Sequence, residues 1–229
     1  MNLLFVHGGP GYRDYLKPYF EGCLAKHYTY FYDQSQGDTD LDYLKDELKQ
    51  KIKELSPVVL IGHSWGATLA LECLRDKTPD VVGLVMLNGL VHHKHGNQDF
   101  IDNLEKKKID INDFEKIMFS KQVDLETRNF IQKLNSTFDQ KTFERIDREY
   151  LSKLDLTDII KHISIPILNI FGLEDNRVPA SSLEEISSLN SDIKTKVISK
   201  GSHFMFVFED QRKEIISAIE AFVDGLSKA

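Results

Sequence analysis

A glycine-flanked serine between two apolar segments constrains the fold of this 229-residue chain more than any other feature. Gly62-His63-Ser64-Trp65-Gly66 follows the apolar run 57–61 and precedes a helical pattern at 67–71. A serine in such a strand–turn–helix elbow sits in strained backbone with its hydroxyl exposed, and the glycines let strand and helix pack closely. The N-terminus of the following helix favours developing negative charge. The pattern predicts a nucleophile at Ser64.

Short apolar runs alternate with helical patterns along most of the chain. The runs predict strands over residues 2–6, 28–32, 58–61, 82–87, 167–171 and 194–198. The helical patterns predict helices over residues 12–26, 41–55, 67–75, 181–189 and 210–226. Apolar strands that alternate with helices indicate an α/β fold: a mostly parallel sheet of about six strands, with helices on both faces and ligands outside the carboxyl ends of the strands.

The middle of the chain differs in composition from the rest. Residues 91–160 hold one glycine and no proline, whereas the remaining residues hold twelve glycines and all six prolines. Apolar residues recur there at helical spacing, as in Phe130, Ile131, Leu134 and Phe138. We therefore predict a helical insert at 92–160 within a core formed by residues 1–91 and 161–229.

A serine hydroxyl needs a base and an orienting carboxylate to react at neutral pH, and at this kind of elbow they follow in the order acid, then histidine. The strand predicted at 167–171 runs into a turn with two acids, Glu174 and Asp175. His203 lies in the loop after the last strand. Both places are carboxyl ends of strands, so these residues can meet Ser64, and the chemistry needs no cofactor.

Acyl transfer also needs donors for an oxyanion, and the glycine-rich run His7-Gly8-Gly9-Pro10-Gly11 follows the first strand. Pro10 has no N–H to donate. We predict an oxyanion hole formed by the backbone N–H groups of Gly9 and Trp65, with Gly8 as the alternative to Gly9. A phosphate-binding loop is disfavoured because its Lys-Ser/Thr and G-x-G-x-x-G patterns are missing.

The other histidines have simpler interpretations. We expect His7 and His63 to brace their loops through hydrogen bonds. His92, His93 and His95 form a local cluster, but no carboxylate or cysteine stands at ligand spacing, so we predict no metal site. The cluster is better explained as the point where the insert leaves the sheet.

Composition excludes several classes of partner. The chain carries 29 basic and 36 acidic residues, a net charge of −7, which disfavours nucleic acid. Its apolar runs are far shorter than a membrane span, and no secretory signal is recognisable at the N-terminus. We expect a cytoplasmic protein that acts on a small molecule.

Together, His7–Gly11, Gly62–Gly66, Phe171–Asp175 and Gly201–Phe204 resemble the α/β-hydrolase superfamily over nearly the whole chain. Within it, His7–Gly11, Tyr32-Asp33-Gln34 and Ser64-Trp65-Gly66 are most similar to proline iminopeptidases, serine enzymes that remove an N-terminal residue, usually proline, from peptides.

The resemblance implies an acid at Asp175, the position before Asn176-Arg177-Val178-Pro179, and catalytic roles for Ser64, Asp175 and His203. It also implies that residues 92–160 form a cap over the active site, where substrates are selected.

Two departures keep other activities open. Ser35 stands where those peptidases usually carry an arginine, and His63 stands where they often have a glycine. A histidine there is common in esterases, lactonases and carbon–carbon bond hydrolases of the same fold. A different class of function is a non-catalytic protein that binds a small molecule in the same pocket.

The cap offers candidate substrate contacts. An aminopeptidase must hold the substrate ammonium, and Glu144, Asp147 or Glu149 could do so. The alternating charges of this segment are also typical of a solvated helix face. We expect Phe143 and Trp65 to line an apolar pocket.

The resemblance also bears on oligomeric state. These peptidases begin with a hairpin that this sequence does not show, which would leave the strand at 28–32 on the sheet edge. Unpaired backbone at an edge can recruit a second subunit. We expect a monomer or a weak homodimer.

Overall fold

A six-stranded parallel sheet organises the molecule. The computed structural model describes residues 1–76, 78–95 and 111–226. The strands are β1 (Asn2–Val6), β2 (Tyr28–Tyr32), β3 (Val58–His63), β4 (Val81–Leu87), β5 (Ile167–Gly172) and β6 (Lys194–Ile198). Their order is β2-β1-β3-β4-β5-β6, and every neighbouring pair is parallel. The predicted α/β architecture is confirmed, and each strand starts and ends within two residues of its prediction.

Helices connect and cover the strands. Among the described residues they are α1 (Lys17–Phe20), α2 (Leu41–Leu55), α3 (Trp65–Leu74), α4 (Ile111–Met118), α5 (Leu125–Ser136), α6 (Gln140–Glu149), α7 (Thr157–His162), α8 (Ala180–Leu189) and α9 (Glu209–Leu226). Short 3₁₀ turns lie at His93–His95, Leu151–Lys153 and Met205–Val207. Aspartates cap several of these helices: Asp40, for example, accepts a hydrogen bond from Tyr43 N at the start of α2.

The helix predicted over residues 12–26 is wrong, since only α1 is helical there. The Asp14 carboxylate accepts hydrogen bonds from Leu16 N and Lys17 N, which starts the helix late. Pro18 occupies its first turn, where no internal N–H bond is needed. Gly22, at φ +74°, then turns the chain away.

Alternating strand residues feed two cores, one on each face of the sheet. Leu4 and Leu60 belong to a cluster that includes the buried residues of α2 and α3. Leu3 and Phe5 belong to the opposite cluster, which includes the buried face of α9. This double coverage explains why the strands are almost continuously apolar. None of the described helices is long and apolar enough to cross a membrane.

The strand β2 forms one edge of the sheet, as predicted, and Tyr28 on it is largely exposed. Pairing of a second subunit at this edge, as a weak homodimer, stays a prediction.

The segment between β4 and β5 leaves and returns to the sheet at a single point. Leu156 N donates to Val91 O, and His93 N donates to Leu154 O, each at 2.8 Å. His92 forms an antiparallel bridge with Asp155 beside them. We call residues 92–160 the helical segment; residues 96–110 of the predicted insert lie outside the described residues, and the described part contains α4, α5, α6 and most of α7. His92 and His93 therefore stand where the segment leaves the sheet, and no group of three potential metal ligands occurs in the described ranges.

The helical segment lies against loops at the carboxyl ends of the strands. Asp139 N donates to Gly11 O at 2.8 Å, and Gly37 N donates to the Asp139 carboxylate at 2.6 Å. At the other end of the sheet, Phe204 N donates to Met118 O at 3.1 Å. The described part of the segment thus contacts the loop after β1, the loop after β2 and the loop after β6.

Candidate active site

Ser64 lies in the turn between β3 and α3 with φ +52° and ψ −120°. This is strained backbone for a residue with a side chain. The turn is held tightly, because a Cβ at Gly66 would overlap the carbonyl oxygen of Val6, and one at Gly62 would lie 2.5 Å from the backbone of Ala67. Ser64 N also donates to Leu87 O at 2.9 Å. Close packing of β1, β3 and α3 therefore fixes the elbow.

Ser64, His203 and Asp175 form one hydrogen-bonded line. His203 Nε2 lies 3.0 Å from Ser64 Oγ, and His203 Nδ1 lies 2.8 Å from Asp175 Oδ2. Nδ1 donates to the carboxylate, which leaves Nε2 free to accept the hydroxyl proton. The other oxygen, Asp175 Oδ1, accepts from Arg177 N at 2.7 Å and Val178 N at 2.9 Å.

Only one of the two candidate acids contacts the histidine. Glu174 is exposed, and its N–H donates to Gly201 O at 2.8 Å. Asp175 is buried beside His203. The structure thus brings together the three residues that the resemblance selected.

The loop that carries His203 must cross two strands to reach Ser64, since β6 lies three strands from β3. Asn88 secures it: its Nδ2 donates to Ser202 O at 2.9 Å and to His203 O at 3.1 Å, and its Oδ1 accepts from Gly172 N at 2.9 Å. Asn88 is buried at φ +48° directly after β4. The sequence analysis missed this residue, although an asparagine that ends an apolar strand was a signal for it.

The glycine-rich loop lies on the other side of Ser64. Gly9 and Trp65 both line the cavity beside the serine. The N–H of Gly8 donates to the Tyr15 hydroxyl at 2.8 Å and is therefore already engaged. Gly9 and Trp65 therefore remain the predicted oxyanion donors.

A buried polar chain supports this loop. Gln34 N donates to His7 Nε2 at 3.2 Å, Gln34 Nε2 donates to His7 O at 2.9 Å, and Trp65 Nε1 donates to Gln34 Oε1 at 2.9 Å. Since Nε2 accepts, Nδ1 carries the proton and donates to Gly8 O at 2.9 Å. Burial lowers the pKa of His7 to about 4, so the imidazole stays neutral near pH 7. The chain links Trp65 to the predicted oxyanion loop.

An apolar cavity of about 70 Å³ opens onto Ser64. The helical segment contributes Met118, Phe143 and Leu151 to its wall, and the sheet side contributes Leu90, Val178 and Phe204 as well as Trp65.

Of the predicted substrate contacts, Phe143 and Trp65 line this cavity, whereas Glu144 is not among its lining residues. The Glu144 carboxylate instead accepts a hydrogen bond from Gln140. Glu149 is paired with Arg145 and Arg148.

The sequence offered acidic candidates for the cavity, whereas the charged side chain that lines it is basic. Arg177 lines the cavity, and none of the described lining residues carries a carboxylate. Burial lowers the pKa of Arg177, and attraction to Asp175 and Asp147 opposes this effect. Asp147 is buried on α6, although the alternating charges of its segment are typical of a solvated helix face. A buried charge needs compensation, and Arg177 in a distant loop supplies part of it.

Comparison with known proteins agrees with this geometry. A model of the alpha/beta hydrolase family matches residues 3–218. The chain therefore belongs to the α/β-hydrolase family, as the resemblance indicated.

The proteins that this chain is similar to are named for different activities. The proline iminopeptidase of Heyndrickxia coagulans is 24% identical over an alignment that covers 98% of this chain and 91% of that protein. An esterase from Exiguobacterium antarcticum superposes with a TM-score of 0.83 at 19% identity, covering 98% of this chain and 92% of the esterase. A proline iminopeptidase-related protein from Thermus thermophilus has a TM-score of 0.76 at 18% identity, covering 98% and 89%. At these identities the solved structures share the fold.

Proposed function

We propose that this chain is a serine hydrolase that cleaves small esters or amides through an acyl-enzyme on Ser64. The observation that carries the proposal is the line from Ser64 Oγ through His203 to Asp175, which ends at a strained elbow beside an apolar cavity. A protein that only binds its ligand needs neither a strained serine nor a paired base.

The reaction follows from the positions of these groups. His203 Nε2 takes the Ser64 proton as Oγ attacks the carbonyl carbon, and the N–H groups of Gly9 and Trp65 stabilise the oxyanion. His203 then protonates the leaving alcohol or amine. Water, deprotonated by the same nitrogen, attacks the acyl-enzyme and releases the acid. Asp175 holds the ring and stabilises its cationic form, and these steps use no cofactor.

We further propose that the helical segment is a cap over a core formed by residues 1–91 and 161–229. Its paired ends and its contacts with three loops at the carboxyl edge of the sheet support this division. Because Met118, Phe143 and Leu151 belong to the segment and line the cavity, the cap selects substrates by apolar contact.

The cavity favours an ester of a small, uncharged acyl group. Its described wall is apolar and holds a cationic side chain, Arg177, without a carboxylate, which suits a neutral acyl group better than an ammonium. A second candidate is an aminopeptidase, which the name of the Heyndrickxia coagulans relative favours. In that case Asp147, four residues after Phe143 on α6, is the candidate partner for the ammonium.

Initial rates on a small panel test the proposal. Prolyl and alanyl p-nitroanilides are compared with p-nitrophenyl acetate, butyrate and octanoate, each with Ser64→Ala as the blank. Ester turnover lost in the variant supports the esterase form, and prolyl anilide turnover lost in the variant supports the aminopeptidase. A diketone added to the panel tests carbon–carbon bond hydrolysis, which would show as turnover of this compound alone.

Covalent labelling gives a second test that does not depend on the choice of substrate. A fluorophosphonate probe should react with the wild-type chain and not with Ser64→Ala. If the wild-type chain neither labels nor turns over any substrate, the acyl-enzyme is refuted and a non-catalytic binding protein becomes the better account.

A further inference from the structure

Two buried side chains join the two loops that flank Ser64. The Tyr15 hydroxyl lies 2.8 Å from Gly8 N and 2.6 Å from His63 Nδ1. On its other side, His63 Nε2 lies 2.9 Å from the backbone oxygen of His203. A continuous chain of hydrogen bonds therefore runs beside Ser64, from the loop after β1 to the loop after β6, and the Tyr15 side chain also lines the cavity.

Only one set of proton positions satisfies this chain. A backbone carbonyl can only accept, so His63 Nε2 carries the proton and donates to His203 O. In the neutral ring Nδ1 then accepts, which makes the Tyr15 hydroxyl its donor. The tyrosine oxygen in turn accepts the Gly8 N–H. Every group has a partner of the correct kind, so the chain is fully satisfied.

Burial keeps these proton positions unchanged. Tyr15 and His63 are both buried, and Tyr15 packs edge-on against the His63 ring with 5.7 Å between the ring centroids. Desolvation and the nearby His203 hold the pKa of His63 well below its ordinary value, while burial raises that of Tyr15. The titratable groups that face His63 are His7, Tyr15 and His203. His63 therefore remains neutral where an esterase works.

We propose that Tyr15 and His63 are positioning residues that set the general base and the oxyanion loop at a fixed distance from each other across Ser64. The inference rests on the function proposed above. The loops of Gly8 and His203 come from strands β1 and β6, which are not neighbours in the sheet. One loop must nevertheless place the base at Ser64 Oγ while the other places the oxyanion donors at the carbonyl oxygen of the same substrate. The tolerance is a fraction of an ångström, since an error of about 1 Å can cost about 10²-fold in rate.

Tyr15→Phe tests this by removing a single oxygen. We expect kcat on p-nitrophenyl acetate to fall about tenfold with KM changed by less than about twofold, because positioning acts on the transition state. The matched control is Tyr32→Phe, which removes a buried hydroxyl bonded to Glu47 away from the cavity. Tyr32→Phe should lower the midpoint of thermal unfolding about as much as Tyr15→Phe does. Its kcat should nevertheless stay within about twofold of the wild-type value. Equal kcat losses in the two variants would reduce Tyr15 to a structural role and overturn the proposal.

A double-mutant cycle tests whether the two residues act as one unit. His63→Gln retains a donor that can reach His203 O, so its kcat should lie between those of wild type and Tyr15→Phe. The double variant should be slower than Tyr15→Phe by less than about twofold, because each change breaks the same chain. Fully multiplicative losses would contradict a single chain.

The pH profile of kcat/KM gives a further test of His63. The midpoint of its acid limb should be the same in His63→Gln as in wild type, because the change replaces a neutral residue by another neutral residue. A shifted midpoint would make His63 a titrating group and overturn its assignment.

Nitrogen NMR of ¹⁵N-histidine-labelled protein tests the chain without any substrate. His63 should show the neutral Nε2–H form from about pH 5.5 to about pH 8.5, and Tyr15→Phe should shift the ring nitrogens of both His63 and His203. A His63 that titrates, or a His203 signal unmoved by Tyr15→Phe, would overturn the proposal. If wild-type turnover equals that of Ser64→Ala, the acyl-enzyme fails while the NMR result still decides the hydrogen-bond chain.

Discussion

The two walls of the cavity are built by different physics. The sheet wall holds Ser64 and His203 through backbone geometry and buried hydrogen bonds, such as those of Asn88. The wall from the helical segment presents Phe143 and Leu151. Its helix α6 attaches to the sheet side mainly through buried apolar packing, with Ile146 in the cluster shared with α2 and α3, and adds polar contacts such as that of Arg145 with Asp40.

This difference separates chemistry from selection. Buried networks tolerate little displacement, which suits groups that must meet a reacting atom. Apolar packing is non-directional and tolerates substitutions of similar volume, so the lining residues of the segment can change at a smaller cost than the buried hydrogen bonds of the sheet wall can. Changes in the sheet wall should therefore act on kcat, on stability or on both, and changes in the other wall should act on which substrate is preferred.

The largest effect is expected from Asp175→Asn in the sheet wall. An amide there cannot stabilise the cationic ring and favours the wrong tautomer of His203, so kcat should fall by about 10⁴-fold, with thermal stability largely retained. The matched control is Glu174→Gln, since Glu174 is exposed and makes no contact with His203. Ester hydrolysis rates check both. Retention of more than about a tenth of the activity in Asp175→Asn would remove Asp175 from the site.

Acid should lower the free energy of unfolding through His7, which is buried on the sheet side of the cavity. Its pKa of about 4 in the folded chain lies below the ordinary value, so the unfolded chain takes up a proton that the folded chain cannot. The stability that neutral His7 contributes is therefore complete above about pH 6.5 and is lost as the pH falls toward 4, roughly 3 kcal/mol in all. Urea unfolding of wild type and His7→Gln at several pH values isolates the effect. A constant difference between the two free energies of unfolding would contradict it.

Phe143→Ala should alter preference rather than chemistry. Removing the ring enlarges the cavity, so the ratio of kcat/KM for p-nitrophenyl octanoate to that for the acetate should rise about tenfold. Phe130→Ala is the matched control: Phe130 lies on α5, packs against Tyr19 at 5.5 Å between ring centroids and is outside the cavity wall. An equal change in both variants would show that general loosening of the segment, and not the shape of the cavity, sets the preference.

The smallest effect is expected from Arg145→Ala on α6. Arg145 is partly exposed, and it bonds to Asp40 at 3.1 Å and to Asp38 O at 2.7 Å. Exposed pairs contribute little, so the free energy of unfolding should drop by about 0.5 kcal/mol, with kcat unchanged. Lys213→Ala, which breaks the exposed pair with Glu209 on α9, serves for comparison. A large loss of activity in Arg145→Ala alone would break the separation between the two walls.

Local sequence patterns predicted the sheet well because a buried parallel strand is recognisable within a few residues. The apolar runs gave all six strands, and the elbow glycines marked Ser64 before any contact was known. The acid needed more, since Glu174 and Asp175 are neighbours and only their orientation toward His203 separates them. The resemblance supplied that choice.

What the sequence did not reveal depends on partners distant in the chain. The short helix α1 is limited by Asp14 and Gly22, whose effects a hydrophobic pattern does not contain. Asp147 is buried because Arg177 of another loop lies near it. Asn88 gains its role only when the loop of Ser202 folds over it. None of these relations has a fixed spacing in the sequence, and Asn88 alone carried a local signal, as an asparagine that ends an apolar strand.

The hydrogen bond from Leu156 N to Val91 O brings the two ends of residues 92–155, most of the helical segment, next to each other. We therefore expect these residues to be exchangeable as one unit, since a replacement needs to enter and leave the core at only one place. Lengthening such a connection is inexpensive, about 0.6 kcal/mol for each doubling. A segment from a relative, spliced between these two residues, would bring its own substrate preference to an unchanged nucleophile, and new specificities can arise here by recombination as readily as by point substitution.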